Sequence, residues 1–366
     1  MLGAMPAAGI EGFVEDIERH RAYLEGRPVH ARLLELVMPL LDGWLGELLA
    51  EAWSARTFHA GYERLLTLFA ALRFDALREG DSHPLYAGLV RRPAELAAIT
   101  EDALRVTLRS PRVAMALRER SPQTNETTRA VTWLWPAHLL ARAGALEPLA
   151  LCDLGASAGL NLIADALPAD WADATGAAIA VTPRPEIAMR LGLDRSPVDA
   201  CDPDGADWLR ACVWPDDVER VSRLERGLAA FEAAARTPDG PRVLRCALTD
   251  VAAPLSPLPG NRRLLLMQSV VRDYLPPEEL ARYQSAVRTL IAERPPCAVL
   301  WTQFELRHDG EPPERSMGLS VTLRDPHEGL RELVLARTHP HPRLLHVDHL
   351  AVDTLLECLQ SRAPLA

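Results

Sequence analysis

The chain of 366 residues contains no lysine; all 40 basic residues are arginine. This absence excludes Schiff-base, pyridoxal-phosphate and lysine-base chemistry. It also removes the P-loop, whose G-x-x-x-x-G-K-[ST] signature needs an ammonium on the phosphates. No C-x-x-C pair occurs among the six cysteines (Cys152, Cys201, Cys212, Cys246, Cys297, Cys358), and several of them lie in apolar, strand-like runs as small core residues do. A basic surplus is missing too. The formal net charge of -10 argues against nucleic acid as the main partner. The longest uncharged run, Ala130 to Ala141, falls well short of the ~20 residues of a membrane span. With no charged-then-apolar leader at the N-terminus, the expectation is a cytoplasmic protein without a membrane partner.

What is present is an ordinary globular composition, 48% hydrophobic and 25% charged, in a chain long enough for one large or two ordinary domains. Residues 10–145 read as helix after helix. Phe13, Ile17, His20 and Leu24 share one face. Leu33, Val37, Leu40, Leu41, Trp44, Leu48 and Ala52 follow on a helix that Pro39 should kink, and Tyr62 to Leu77 forms a third, stopped by Gly80. The run Ser121-Pro122-Gln123-Thr124-Asn125-Glu126-Thr127-Thr128 then precedes an apolar helix over 123–143. Part of it is N-capping. Six polar residues in succession, Gln123 to Thr128, exceed one cap, so Gln123, Asn125 and Glu126 are expected at the mouth of a site.

The centre of the chain is Leu149-Ala150-Leu151-Cys152-Asp153-Leu154-Gly155-Ala156-Ser157-Ala158-Gly159-Leu160-Asn161-Leu162. An apolar run closes on an acid, turns on small residues, and resumes with helical spacing: a buried parallel strand, a tight turn and a helix. Open α/β sheets place ligands at the carboxyl ends of such strands. The dinucleotide fingerprint is absent, because Ser157 replaces the middle glycine. An acid followed by G-x-x-x-G is similar to the cofactor loop of class I S-adenosylmethionine-dependent methyltransferases. A corner packed with small residues for its own sake is the alternative.

Further strands are expected at Ala177 to Val181, Arg242 to Leu248, Leu264 to Met267 and Ala298 to Phe304, with a hairpin of Gly318–Leu323 and Leu330–Ala336 at the end. Ala177 to Val181, the second strand after the central one, lacks the terminal acid that would hold ribose hydroxyls. Residues 186–240 read as a long helical insertion, and Pro254 to Pro259 as a proline-rich link. The fold class is α/β: a doubly wound, mostly parallel sheet with an antiparallel hairpin (121–366) behind an all-helical domain (1–120).

These segments in this order resemble the bacterial family known as domain of unknown function 2332. The resemblance rests on Gln123-Thr124-Asn125-Glu126, the Asp153 to Leu162 block, Arg190-Leu-Gly192-Leu-Asp194 to Pro197-Val-Asp199, Trp208-Leu209, Trp214-Pro215, Tyr274-Leu275-Pro276-Pro277 and His339-Pro340-His341. It implies a methyltransferase-type sheet, S-adenosylmethionine as cofactor and a small-molecule substrate. Asp153, Gly155, Ser157, Gly159, Asn161, Asp250 and Gln268 would form the cofactor site. Gln123, Asn125, Glu126, Ser269 and Tyr274 would face the substrate, with Glu126 and Asp273 as candidate bases. The chain departs from the family at Asp153, where glutamate is common, at Gln268, where histidine is expected, and after strand three, where only Asp250 could supply the acid.

Three rivals stand beside this reading. Gly155-Ala156-Ser157-Ala158-Gly159 also spells the G-x-S-x-G nucleophile elbow, with Asp250 or Asp273 and His339 available to complete a hydrolase triad. His339, His341, His346, Asp348 and His349 could gather a metal, although no closed zinc spacing is present and none is expected. A non-catalytic binding module of the same shape is the third.

Overall fold

The computed structural model describes residues 12–18, 26–255 and 262–361. His20 and Leu24 of the first stripe, and positions 256–259 of the proline-rich link, lie outside the described residues. The chain groups into two units: Met1–Thr124 with Asp202–Ser222, and Asn125–Cys201 with Arg223–Ala366. Among the described residues no helix is long and apolar enough to cross a membrane.

The first unit is helical. The segment expected to kink at Pro39 is two helices, Pro28–Val37 and Trp44–Trp53, separated by a 3-10 turn at Met38–Leu40. Proline offers no N–H to continue the hydrogen-bond ladder and its ring crowds the carbonyl four residues back, so the first helix stops. The helix Glu63–Glu79 ends at Gly80 with φ 78°, a left-handed position that suits glycine. Arg73, buried on this helix, donates to the carbonyls of Leu89 (3.0 Å), Arg210 (2.6 Å) and Val213. That guanidinium ties the end of the helix Pro203–Ala211 to the unit, and Trp208 Nε1 adds a bond to the Ser121 carbonyl at 3.0 Å. The segment 202–222, expected within an insertion of the α/β domain, belongs here for that reason.

The second unit is built on one nine-stranded sheet: β1 (Leu149–Leu154), β2 (Ala172–Asp173), β3 (Ile187–Asp194), β4 (Arg242–Arg245), β5 (Arg263–Ser269), β6 (Val299–Leu306), β7 (Met317–Asp325), β8 (Gly329–Thr338) and β9 (Leu344–Val347). Their spatial order is β2-β9-β8-β7-β6-β5-β1-β3-β4. The block β4-β3-β1-β5-β6 is parallel, and β6 to β9 are antiparallel. The chain runs outward from β1 through β3 to β4 and returns on the other side of β1 as β5. The strand order therefore reverses at β1, and open sheets bind ligands beyond the carboxyl ends of the strands at such a switch point.

Side chains along β1 alternate between the sheet's two faces. Leu149 and Leu151 pack with Leu265, Met267 and the helix Val131–Arg142. Ala150, Cys152 and Leu154 pack with Leu264, Leu266, Tyr283 and Trp301. Asp153 takes its place in the first set by parity.

Three expectations need correction. The second parallel strand is β3, not Ala177 to Val181, which contributes only an isolated bridge between Ala178 and Ala172. Thus 187–194 is strand rather than part of a helical insertion. Two local features disguise β3. Arg190 is charged, but Asp165 holds it through two bonds of 2.8 and 2.7 Å. Gly192 looks like a turn residue, yet a Cβ there would lie 2.8 Å from that of Ala156. The segment after Gly159 is a 3-10 helix, Leu160–Ala166, rather than an α-helix. The chain also adds β9 and a terminal helix, His349–Gln360, beyond the expected hairpin.

Candidate active site

The turn after β1 uses three left-handed residues: Gly155 (φ 83°), Ser157 (φ 54°) and Gly159 (φ 79°). Its N–H groups are spent within the fold. Those of Gly155 and Ala156 donate to the Leu193 carbonyl (2.8 and 3.2 Å), that of Ser157 to Asp194 Oδ2 (2.7 Å), and that of Gly159 to Ala156 (2.7 Å). The Ala158 N–H reaches Asn125 Oδ1 at 3.4 Å. Packing also explains the glycines. A Cβ on Gly155 would stand 2.7 Å from Val271 Cγ2, and one on Gly159 2.7 Å from Val243 Cγ2.

Beside the turn lie two acids at the ends of neighbouring strands. Asp153 is 3% exposed and sits opposite Gly192 of β3 and Met267 of β5. Among the described residues its carboxylate accepts no hydrogen bond. Burial, reinforced by the charge of Asp194, raises its pKa to about 8. Asp194 closes β3. It accepts from the N–H groups of Ser157 and Ser196, both at 2.7 Å. Burial pushes its pKa upward against the pull of those bonds. The acid thought missing after the second strand is therefore present. It went unseen because its strand did, although an acid closing Arg190-Leu191-Gly192-Leu193 was the available signal.

The polar run before the apolar helix meets this turn at one residue. Asn125 Nδ2 donates to Ser157 Oγ at 2.8 Å. Glu126 belongs to a different arrangement: its side chain is wholly buried and caps a 3-10 turn, Thr127–Ala130, by accepting from the Thr128 N–H (3.2 Å) and Oγ1 (3.0 Å). Arg223 grips it with two bonds, Nε to Oε1 at 3.0 Å and Nη2 to Oε2 at 3.2 Å. His341 Nδ1 lies 3.3 Å from Oε2. Arg129 reaches the Pro340 carbonyl at 3.1 Å. The capping expectation thus accounts for Glu126, and the acid holds Arg223 and His341 in place.

The sequence profile described as an uncharacterized protein conserved in bacteria (DUF2332) matches residues 19–346. The chain belongs to the DUF2332 family. A comparison with curated proteins finds no match to it.

In this DUF2332 protein the remaining candidates are spread over several elements. Gln268 falls on the opposite face of the sheet from Asp153, because β5 pairs it with Leu154. Its amide is committed there: Nε2 donates to Glu305 Oε1, and Oε1 accepts from Tyr283 and from Trp301 Nε1 at 2.9 Å. Burial raises the pKa of Glu305, against bonds that include the Val271 N–H. Asp250 is exposed in a 3-10 turn, Leu248–Asp250, after β4. Ser269 ends β5, and Asp273 and Tyr274 share the half-buried turn Arg272–Tyr274 that follows it. Asn161 is buried, and its carbonyl receives Trp133 Nε1 at 2.9 Å. Gln123 falls in the first unit, where its N–H meets Cys212 Sγ at 3.4 Å. His339 and His341 stand in the loop between β8 and β9 with ring centroids 5.8 Å apart. The grouping with metal-ligand spacing among the described residues is instead Asp75, Glu79 and His83. His83 Nδ1 there accepts the Leu85 N–H at 3.1 Å and Nε2 faces Asp75 at 3.3 Å, which satisfies both ring nitrogens within the protein.

Proposed function

We propose that the second unit of this protein binds S-adenosylmethionine at the carboxyl ends of β1 and β3 and methylates a small molecule. One observation carries the reading: Asp153 is a buried acid with no hydrogen bond to its carboxylate among the described residues, next to a second acid, Asp194. A site like this gains most from a ligand that brings a cation and hydroxyl donors. The turn itself has little to offer a phosphate, because its amides are already bonded and form no anion nest. One unbonded acid and consumed amides together favour an amino-acid-like, ribose-bearing ligand over a nucleotide polyphosphate.

Asp153 would hold the ammonium and Asp194 the ribose hydroxyls, with Asn125 and Ser157 fixing the turn between them. The cofactor supplies a methyl group already activated for transfer. The chain's own work is to position the acceptor and exclude water. Glu126 contributes as the acid that holds His341 and Arg223, and the net charge of -10 favours a small acceptor over nucleic acid.

Calorimetric titration with S-adenosylmethionine and S-adenosylhomocysteine tests the reading, with a rise in melting temperature through linkage as the second readout. Asp153→Ala should abolish binding. Binding should strengthen as pH rises toward 8, because only the ionised acid holds a cation. A protein that binds neither form at millimolar concentration would overturn the proposal. Gly155→Val is not a clean probe, since its Cβ would displace Val271 whether or not a ligand binds.

One observation favours a hydrolase as second reading: Ser157 sits at φ 54° between two glycines on a strand–turn–helix corner. Against it, the Ala158 N–H, which an elbow would turn to the oxyanion, points to Asn125. Covalent labelling by a fluorophosphonate, lost in Ser157→Ala, would install the hydrolase instead.

A further inference from the structure

A shallow, open cleft lies in the second unit beside the Glu126 cluster. Thr127, Thr128 and Trp171 form one wall, Leu167 and Pro168 part of the floor, and Arg223 and Arg226 the side contributed by the helix Val218–Ala235. Its polar groups divide into those already satisfied and those left over. Thr128 Oγ1 donates to Glu126, which also takes the fork of Arg223. Asp170, the acid on the lining, is paired with Arg343. Trp171 is 4% exposed, and its Nε1 is fixed on the Thr128 carbonyl at 2.9 Å, so the indole belongs to the core beneath the cleft.

Two groups remain. Among the described residues Arg226 makes no ion pair and the Thr127 hydroxyl makes no hydrogen bond. Arg226 follows Arg223 by three residues, so both project from one side of the helix. With Asp170 and Glu126 neutralised by their own partners, the cleft presents one uncompensated guanidinium, one free hydroxyl and the apolar side chains of Leu167 and Pro168. On a chain of net charge -10 that is a local reversal of sign.

We propose that this cleft binds a small organic anion, a carboxylate or a phosphate monoester carried on an apolar body. Arg226 and Thr127 take the anionic oxygens, and Leu167 and Pro168 take the body. A guanidinium suits either anion, because its fork matches paired oxygens. The inference does not rest on methyl transfer, since none of these residues was assigned to the cofactor.

The test is calorimetric titration of the full chain with phenyl phosphate, benzoate and inorganic phosphate at low salt. Wild type should bind phenyl phosphate or benzoate saturably and more tightly than inorganic phosphate, and the order of the first two identifies the preferred anion. Arg226→Ala should weaken binding about tenfold, the ratio of one ordinary charge-assisted hydrogen bond. Arg226→Glu should eliminate it, while Arg282→Glu, an exposed site on another helix with the same charge change, should bind as wild type does. Arg226 is exposed, so its replacement leaves the fold intact, which circular dichroism verifies. Absence of saturable binding by wild type, equal binding by the two glutamate variants, or no preference over inorganic phosphate would each overturn the proposal.

Discussion

Glu126 and Asp153 are both buried acids of the second unit, one on either side of the polar contact between Asn125 and Ser157, and they differ in partners. Glu126 accepts from Thr128, is gripped by both arms of Arg223 and faces His341. Asp153 accepts nothing among the described residues and has a like charge, Asp194, as its electrostatic neighbour. A buried charge that is fully bonded is part of the scaffold. A buried acid left without partners costs the fold free energy, and such groups concentrate where a ligand completes the set. The same residue class thus does opposite things within one sheet.

The largest effect should come from the satisfied acid. Glu126→Ala leaves Arg223 without its carboxylate and should cost about 3–5 kcal/mol, the usual penalty of breaking a buried ion pair. Urea denaturation reads this directly, and a loss below that of Asp153→Ala would break the comparison.

The unsatisfied acid should behave in the reverse sense. Unfolded, an aspartate releases its proton near 3.8; in the fold Asp153 keeps it to about 8. Between those values the native state binds the extra proton, so stability falls as pH rises from about 4 to about 8 and is level above. Asp153→Asn, which mimics the neutral acid, should stabilise the protein at pH 8 by an amount on the order of 3 kcal/mol and change little at pH 4. Melting curves at the two pH values check the sign. Destabilisation at pH 8 would mean that the carboxylate is satisfied after all.

Gly192→Ala sharpens the contrast from the packing side. Its Cβ would press on that of Ala156, and a loss of about 2 kcal/mol is expected. Ala156→Gly should recover much of it in a double-mutant cycle. The smallest effect is that of Ser157→Ala, about 1 kcal/mol for the bond from Asn125. A much larger loss of stability would place Ser157 with the scaffold.

The elements legible from the chain were those whose signal is local. β1 is a run of apolar residues bounded by small ones, and β7 and β8 alternate around Asp325-Pro326-His327-Glu328-Gly329, so both were found close to their true limits. β3 was missed because its two disqualifying residues are repaired from a distance: Asp165 neutralises Arg190, and Ala156 and Val243 need Gly192 to be small. Losing β3 hid Asp194. Gln268 was placed in the site by the family resemblance, and the register of β5 on β1 sets it on the face opposite Asp153.

By itself the sequence determined that no lysine chemistry is possible, that a strand ends in an acid before a turn of small residues, and that helices precede an α/β sheet. These follow from composition and short-range periodicity, which one stretch of chain fixes alone. Only the tertiary structure decided which acid is paired. Arg223 stands 97 residues from Glu126, and no spacing in the sequence joins them. Folding brings that guanidinium to Glu126 and brings a second carboxylate to Asp153, because satisfaction of a buried charge depends on what the rest of the chain packs against it.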